Sequence, residues 1–300
     1  MIKSLNELKR NVHGKPVKLV VAAANDSNTL EAVFNAAKTL NISYILVGDR
    51  ERILLESSKL EYSPDFDTVV HCSDDATCAR TAVALIKEGS GDALMKGSIE
   101  TAALLKAVLD KKTGIREAGV LSHLAILETP AYHKLIGITD GGMIPYPTLP
   151  QKADIVKNAA GLFRSIGYGN PKIAALCASE TVSPKMQETV DAAELQAMCG
   201  RGELSDCTLE GPLSFDIAVN RESAAVKGFS CAISGETDIL LVPDITAGNI
   251  LAKGLIFWAG AKMAGCILGA KTPIVLTSRG ATTEEKLLSI MLSVVSPERN

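Results

Sequence analysis

The feature that most constrains the fold is an alternation of short aliphatic runs with longer helical patterns along almost the whole chain. Val17–Ala24, Ser43–Gly48 and residues 67–72 (DTVVHC) each precede a segment of helical periodicity. The runs carry apolar residues on both faces, as expected for parallel strands that helices cover on each side. Capping residues at Asp26 and Asp74 predict the starts of the first and third of these helices. The pattern therefore predicts an α/β protein with doubly wound, mostly parallel sheets.

A change of rhythm near the middle of the chain indicates a second domain. Between Glu128 and Pro150 a short strand-like segment leads into GGMIPYPTLP, which is dense in Gly and Pro. After it the alternation of strands and helices resumes. A chain of 300 residues with 47% apolar content is long enough for two cores, so we expect two domains.

Charge and composition exclude several classes of function. Lys and Arg number 31 against 34 Asp and Glu, and no basic block is present, so neither nucleic acid nor a membrane surface is an expected partner. The N-terminal MIKSLNELKR lacks an apolar core, so we predict no signal peptide and a cytoplasmic protein. The four histidines show no metal-ligand spacing, so we predict no bound metal.

One candidate anion site follows a predicted strand in Ala93–Leu109. In open α/β sheets, ligands bind beyond the carboxyl ends of the strands. Here the strand leads through Lys96 and Gly97 into a helix, so an ammonium and free backbone N–H groups face one anion. Thr101 and Lys106 lie one and two turns farther along. The alternative is an ordinary strand-to-helix turn with solvated lysines.

A second candidate repeats this geometry in Pro243–Gly254. Asp244 stands at the strand end, Gly248 and Asn249 at the turn, and Lys253 inside the following helix. The alternative is that Asn249 is only the N-cap of that helix. No GxxxxGK[ST] motif and no glycine-rich dinucleotide motif after a strand occurs, so an ATPase or a standard Rossmann dehydrogenase is disfavoured.

The third candidate is TSRG, at a strand end near the C-terminus. The strand ends at Thr277, and the capping-box pattern Thr282-x-x-Glu285 predicts the start of the last helix. Arg279 offers a planar fork to a phosphate, and Ser278 offers a donor to a developing oxyanion. Because no GxSxG elbow surrounds it, Ser278 is interpreted as a hydrogen-bond donor and not as a nucleophile.

Several stretches, in order, resemble the phosphate acyltransferase family, which comprises phosphate acetyltransferases and phosphate butyryltransferases. SHLAILE and the brevity of the chain look more like the butyryl branch. The resemblance covers most of the chain in these segments: VGDRERI, MKGSIETAALLKAVL, SHLAILE, ITDGGMIPYP, NPKIAALCASETVSPKMQETVDA, EGPLSFDIAV, PDITAGNILAKG and TPIVLTSRG.

The resemblance implies reversible transfer of a short-chain acyl group between coenzyme A and inorganic phosphate, by direct displacement in a ternary complex. Coenzyme A and acyl-CoA are then substrates, and no resident cofactor is expected. It also implies a two-domain fold of the isocitrate dehydrogenase type, with both termini in one domain and the active cleft between the domains. The expected domains are residues 1–130 plus 276–300 and residues 131–275, and we expect a homodimer or larger homo-oligomer.

Applied to this sequence, the resemblance assigns roles to individual residues. The family's Ser-Arg pair falls on Ser278 and Arg279, and a phosphate-binding arginine falls on Lys106, which keeps the charge but loses the bidentate fork. Lys96, Gly97 and Thr101 complete the expected phosphate site. An aspartate of the acetyl branch falls on Glu285, which leaves a catalytic base and a helix cap as alternatives. The acyl-CoA side is assigned to four residues: Asp244, Gly248, Asn249 and Lys253.

Three alternative functions stay open at this stage. The first is a phosphate acetyltransferase. The second is a metal- and NAD-dependent hydroxyacid dehydrogenase of the same fold type, but the aspartate cluster and arginines that it needs cannot be assembled. The third is a catalytically degenerate CoA-binding or regulatory protein, suggested by Lys106 and Glu285 in place of the family residues.

Overall fold

A computed structural model describes residues 1–11, 17–40, 42–117, 119–277 and 280–295. The chain divides into two compact units. The central unit comprises Met1–Leu5 and Gly119–Met263, and the terminal unit comprises Asn6–Ala118 and Ala264–Asn300. The first five residues thus group with the central unit, and the boundaries expected from the sequence at residues 130 and 276 stay a prediction.

The terminal unit contains a mostly parallel sheet in the order β3-β2-β1-β4-β11-β10. Its strands are β1 Lys18–Ala22, β2 Ser43–Gly48, β3 Val69–His71, β4 Ala93–Lys96, β10 Lys262–Leu268 and β11 Ile274–Val275. Every pair is parallel except β10 with β11. All four residues of β4 are buried, as expected for a strand that is covered on both faces.

The terminal unit contains six α-helices among the described residues. They are α1 Leu5–Asn11, α2 Ser27–Leu40, α3 Arg50–Lys59, α4 Asp75–Lys87, α5 Thr101–Val108 and α11 Thr283–Val295. The Asp26 carboxylate accepts the Thr29 N–H at 2.9 Å, and the Asp74 carboxylate accepts the Thr77 N–H at 2.9 Å. These bonds satisfy N–H groups that have no partner within the helix, and they confirm both predicted caps.

The order of the strands creates a switch point between β1 and β4. The chain steps from β1 to β2 to β3 in one direction, and it then returns to place β4 on the other side of β1. Because crossovers are right-handed, helices that connect strands in one direction along the sheet lie on one face, and helices that connect in the other direction lie on the opposite face. Accordingly, α2 packs on α3 and α11, while α4 packs on α5. The carboxyl ends of β1 and β4 therefore border a crevice, which is the usual ligand position in such sheets.

The central unit has a sheet in the order β5-β6-β9-β7-β8. Its strands are β5 Ser122–Glu128, β6 Ile136–Thr139, β7 Lys172–Leu176, β8 Thr208–Leu213 and β9 Ile239–Leu241. Only β5 with β6 is antiparallel among the described pairs of this sheet. One buried cluster contains Ile138, Ala174 and Leu240, which lie on three neighbouring strands. The predicted α/β class with mostly parallel sheets is confirmed.

The helices of the central unit are α6 Leu149–Ser165, α7 Gln187–Gly200, α8 Phe215–Val219, α9 Arg221–Val226 and α10 Ile245–Ala259. The chain runs from β7 outward to β8 and back to β9, so β7 and β9 border the switch point of this sheet. Gly260 caps the C-terminus of α10 with a left-handed φ of 62°, and β10 follows. Among the described helices, none is long and apolar enough to cross a membrane.

Candidate functional site

Backbone hydrogen bonds join the loops after β1 and β4 at the carboxyl edge of the terminal unit. The Gly97 N–H donates to the Ala22 oxygen at 2.8 Å, and the Ser98 N–H donates to the Ala23 oxygen at 2.9 Å. A Cβ on Gly97 would lie only 2.2 Å from that Ala23 oxygen, so the close approach requires glycine. The two loops therefore form one continuous surface at the switch point.

The two lysines predicted to bind phosphate at this edge differ, because one is buried and hydrogen-bonded within the turn and the other is exposed. The buried Lys96 ammonium donates to the carbonyl oxygens of Gly97 at 3.1 Å and Ile99 at 3.0 Å. The prediction that a helix follows Gly97 directly was wrong, because Thr101 is the first residue of α5. Lys106 lies on the exposed side of α5. Lys96 and Gly97 thus stabilise the turn itself, and the phosphate-binding role of all four residues stays a prediction.

The structure describes the residues on either side of the Ser-Arg pair in the TSRG candidate. Ser278 and Arg279 lie outside the described residues, and the preceding Thr277 is buried. At the start of α11, the Thr282 N–H donates to Glu285 Oε2 at 2.8 Å, and the Glu285 N–H donates to Thr282 Oγ1 at 3.2 Å. This reciprocal pair is the predicted capping box, so a structural role of Glu285 is confirmed.

A buried carboxylate organises the carboxyl edge of the central unit. Asp140 follows β6, and its Oδ1 accepts the N–H groups of His123 at 3.1 Å, Gly142 at 3.0 Å and Met143 at 2.9 Å. Its Oδ2 accepts the Ile144 N–H at 3.1 Å. Burial raises the pKa of Asp140, while the N–H donors act in the opposite direction. The Asp-Gly-Gly turn is therefore fixed by a single side chain.

The same turn lies against the beginning of α10. A Cβ on Gly248 would lie 2.7 Å from the Gly141 Cα and 2.8 Å from a Val242 methyl group. The Ile245 N–H also donates to the Pro145 oxygen at 3.2 Å. Two segments that are distant in sequence, ITDGG and PDITAG, are thus joined into one surface.

The four residues predicted to bind acyl-CoA fall into two groups. The Asp244 carboxylate caps α10 by accepting the Ala247 N–H at 2.9 Å, and Gly248 is buried against the Asp-Gly-Gly turn. Asn249 and Lys253 are exposed on the outer side of α10. Because α10 begins at Ile245, Gly248 and Asn249 lie inside the helix and not at its turn, and the alternative of Asn249 as N-cap was wrong.

An apolar pocket of about 350 Å³ lies beyond the carboxyl ends of β7 and β9. Its walls include Leu176, Phe215, Val242 and Leu251. Burial raises the pKa of the Cys177 thiol in this wall to about 12, so the thiol is uncharged at neutral pH. The pocket therefore occupies the switch point of the central sheet and suits the apolar part of a ligand.

Sequence reasoning missed His123 and Asp140 as members of this edge. His123 lies near the N-terminal end of β5, and because β5 runs antiparallel to β6, this end meets the carboxyl end of β6. Burial lowers the pKa of His123, and the Asp140 charge opposes this in part. The imidazole is then neutral near pH 7. Both residues lie in stretches that carry the family resemblance, but the direction of β5 is not readable from the sequence.

The described residues contain no group of three or more His, Cys, Asp or Glu side chains placed to hold a metal ion.

A sequence model of the family described as "Phosphate acetyl/butaryl transferase" matches residues 71–294. The chain is 39% identical to the phosphate butyryltransferase of Clostridium acetobutylicum over 98% of this chain and 98% of that protein.

Solved structures give the same likeness. A branched-chain phosphotransacylase from Enterococcus faecalis superposes with a TM-score of 0.81 at 35% identity, over 93% of this chain and 98% of that one. A 4-hydroxythreonine-4-phosphate dehydrogenase from Klebsiella pneumoniae reaches 0.56 at 14% identity, over 94% of this chain and 100% of that one, which shows a shared fold alone. The dehydrogenase-like architecture expected from the sequence is thereby confirmed.

The contact between Gly141 and Gly248 predicts opposite effects for two glycines of one helix. Gly248→Ala places a methyl group against backbone, so we expect a loss of about 1–3 kcal/mol in the free energy of unfolding. Gly254→Ala meets no heavy atom within 4 Å and should add roughly 0.5–1 kcal/mol through helix propensity. Urea denaturation of both variants measures the difference, and equal effects would contradict the close approach.

Proposed function

Because the chain belongs to the phosphate acetyl/butyryl transferase family, we propose that it transfers a short-chain acyl group reversibly between coenzyme A and inorganic phosphate. The observation that carries this proposal is the 39% identity to a phosphate butyryltransferase over 98% of both chains. The butyryl group is the first choice of substrate. An acetyl group is the alternative, since the family model includes both activities.

The reaction is a direct displacement at the thioester carbonyl. A phosphate oxygen attacks this carbon, the C–O bond of the acyl phosphate forms, the C–S bond breaks, and the CoA thiolate leaves. Arg279 and Lys106 hold the phosphate and reduce the repulsion between the two anionic substrates. Ser278 donates to the oxyanion, a contact worth roughly 2.7–4 kcal/mol in acyl transfer. Acyl-CoA and phosphate supply the chemistry without a resident cofactor.

Glu285 can serve as helix cap and base together. The capping box uses Oε2, while no hydrogen bond to Oε1 occurs among the described residues. In the reverse reaction, in which the CoA thiol attacks the acyl phosphate, Oε1 takes the thiol proton. The cap fixes the carboxylate for this step, so the two interpretations of Glu285 are compatible.

The apolar pocket beside Leu176 and Phe215 supports the same substrate class. Its volume of about 350 Å³ accommodates a short aliphatic chain, and the adjoining surface contains Asp244 and Gly248. An apolar pocket distinguishes chain lengths by only about 10- to 200-fold for one methylene. We therefore expect activity with several short acyl groups and a preference among them.

A thiol-release assay tests the proposed function. With butyryl-CoA, release of free CoA should require inorganic phosphate, and Arg279→Ala should raise the phosphate KM and lower kcat because the bidentate contact is lost. The same assay with acetyl-, propionyl- and isobutyryl-CoA gives the acyl preference. Absence of release with every acyl-CoA would favour a degenerate CoA-binding protein, and unchanged phosphate kinetics in Arg279→Ala would remove Arg279 from the site.

The variant Glu285→Gln distinguishes the proposed role of Glu285 as a catalytic base from its role as a helix cap. Gln retains the capping box, so the free energy of unfolding should change by less than about 0.5 kcal/mol. Loss of the base should lower kcat about 10²- to 10⁴-fold with CoA and butyryl phosphate. Glu284→Gln, one residue earlier on the exposed side of α11, is the matched control. If both variants keep full activity, Glu285 is a cap alone.

The outer side of α10 supports a homo-oligomer. Ile250, Phe257 and Trp258 are 67%, 80% and 94% exposed. Ile250 and Phe257 are seven residues apart and share one face of the helix. A two-fold interface pairs a surface with its own copy, and an apolar surface is complementary to itself. A second copy of the chain is therefore the proposed occupant of this face.

Phe257→Glu should separate the copies by placing a charge in the interface. We expect light scattering after gel filtration to give about half the mass of the wild-type assembly. Val226→Glu, at a position 83% exposed on α9, is the control and should leave the mass unchanged. An unaltered mass in Phe257→Glu would place the interface elsewhere.

A further inference from the structure

Four lysines are buried among the described side chains, and three of them have the partners that a buried ammonium needs. Lys96 donates to two carbonyl oxygens at 3.0 and 3.1 Å, Lys134 lies 2.6 Å from Asp238, and Lys152 lies 2.8 Å from Asp191. Hydrogen bonding of this kind compensates for the loss of water around the charge.

Lys286 is the exception. Its side chain is 7% exposed, and Nζ lies 3.9 Å from Asp26 Oδ1, which is beyond hydrogen-bond distance. That oxygen already accepts the Thr29 N–H at 2.9 Å. Among the described residues, the Lys286 ammonium therefore has one distant carboxylate and no hydrogen-bond acceptor.

The surroundings of Lys286 add positive potential. Lys286 is the fourth residue of α11, and its ammonium approaches Asp26, which caps the N-terminus of α2. Helix N-termini carry partial positive charge and disfavour a cation in the first turn. Among the described residues, Asp26 is the one carboxylate within 4.0 Å of the Lys286 ammonium, and the Glu31 carboxylate accepts the Thr283 hydroxyl instead. An anion bound here would compensate the Lys286 charge better than the distant Asp26 carboxylate does.

The position of Lys286 within the fold indicates which anion it binds. Asp26 belongs to the loop after β1, at the switch point of the terminal sheet, and α11 follows the segment that contains Ser278 and Arg279. We propose that the Lys286 ammonium, together with the N-terminus of α2, binds the phosphate that accepts the acyl group. This inference rests on the proposed function and adds a phosphate ligand that neither motif nor spacing had indicated.

Lys286→Met tests the inference because it removes the charge and keeps an unbranched side chain only one atom shorter. With butyryl-CoA as donor, the phosphate KM should rise about 10- to 100-fold, the loss of one charge-assisted hydrogen bond, with the butyryl-CoA KM within about twofold. Lys286→Arg should recover most of the phosphate affinity. Lys38→Met, on the exposed side of α2, is the matched control and should resemble wild type.

A binding measurement makes the result independent of catalysis. Inorganic phosphate alone should raise the melting temperature of wild type, of Lys38→Met and of Lys286→Arg, but not of Lys286→Met. If Lys286→Met does not fold, Lys286→Gln is measured in the same way. Should wild type bind phosphate through Lys286 without transferring acyl groups, the site stands and the proposed function fails.

Two outcomes would overturn the inference while leaving the transferase activity intact. One is an unchanged phosphate KM in Lys286→Met, which would make the contact with Asp26 purely structural. The other is a rise confined to the butyryl-CoA KM, which would place a phosphate group of coenzyme A beside Lys286 instead of the acceptor phosphate.

Discussion

Parallel strand pairing is the constraint on which the rest of this structure depends. Parallel neighbours need a crossover between them, the crossovers cover both faces of the sheet, and all the strands then end at one edge. In each unit the order of strands reverses once, between β1 and β4 and between β9 and β7. The loops at these two switch points carry Lys96, Gly97 and Asp244, because the backbone diverges there enough to admit a ligand.

Most polar groups at the two edges are used to build the loops. Asp140 accepts four backbone N–H groups, Asp244 caps α10, and the Lys96 ammonium donates to the carbonyls of its own turn. A polar side chain whose hydrogen bonds all go to the backbone holds a loop in place and has little capacity left to bind substrate. Among the described residues, Oε1 of Glu285 keeps the capacity to accept a proton, and the ammonium of Lys286 keeps the capacity to bind an anion.

The sequence predicted the elements better than the contacts. Apolar runs, caps at Asp26 and Asp74, and the capping box of Glu285 are local patterns, and all are confirmed. The start of α5 and the position of Asn249 were wrong, because a turn residue and a first-turn residue have similar local preferences. Side-chain roles at Ser278 and Arg279 stay predictions from the family resemblance.

By itself, the sequence determined the α/β class and the family, since hydrophobic periodicity and the order of motifs can be read without coordinates. Tertiary structure alone decided which distant segments meet. The approach of Gly141 to Gly248, the place of His123 beside Asp140, and the poorly partnered Lys286 near Asp26 all depend on strand order and direction. Strand order and direction are fixed by packing over the whole sheet, and no local stretch of residues encodes them.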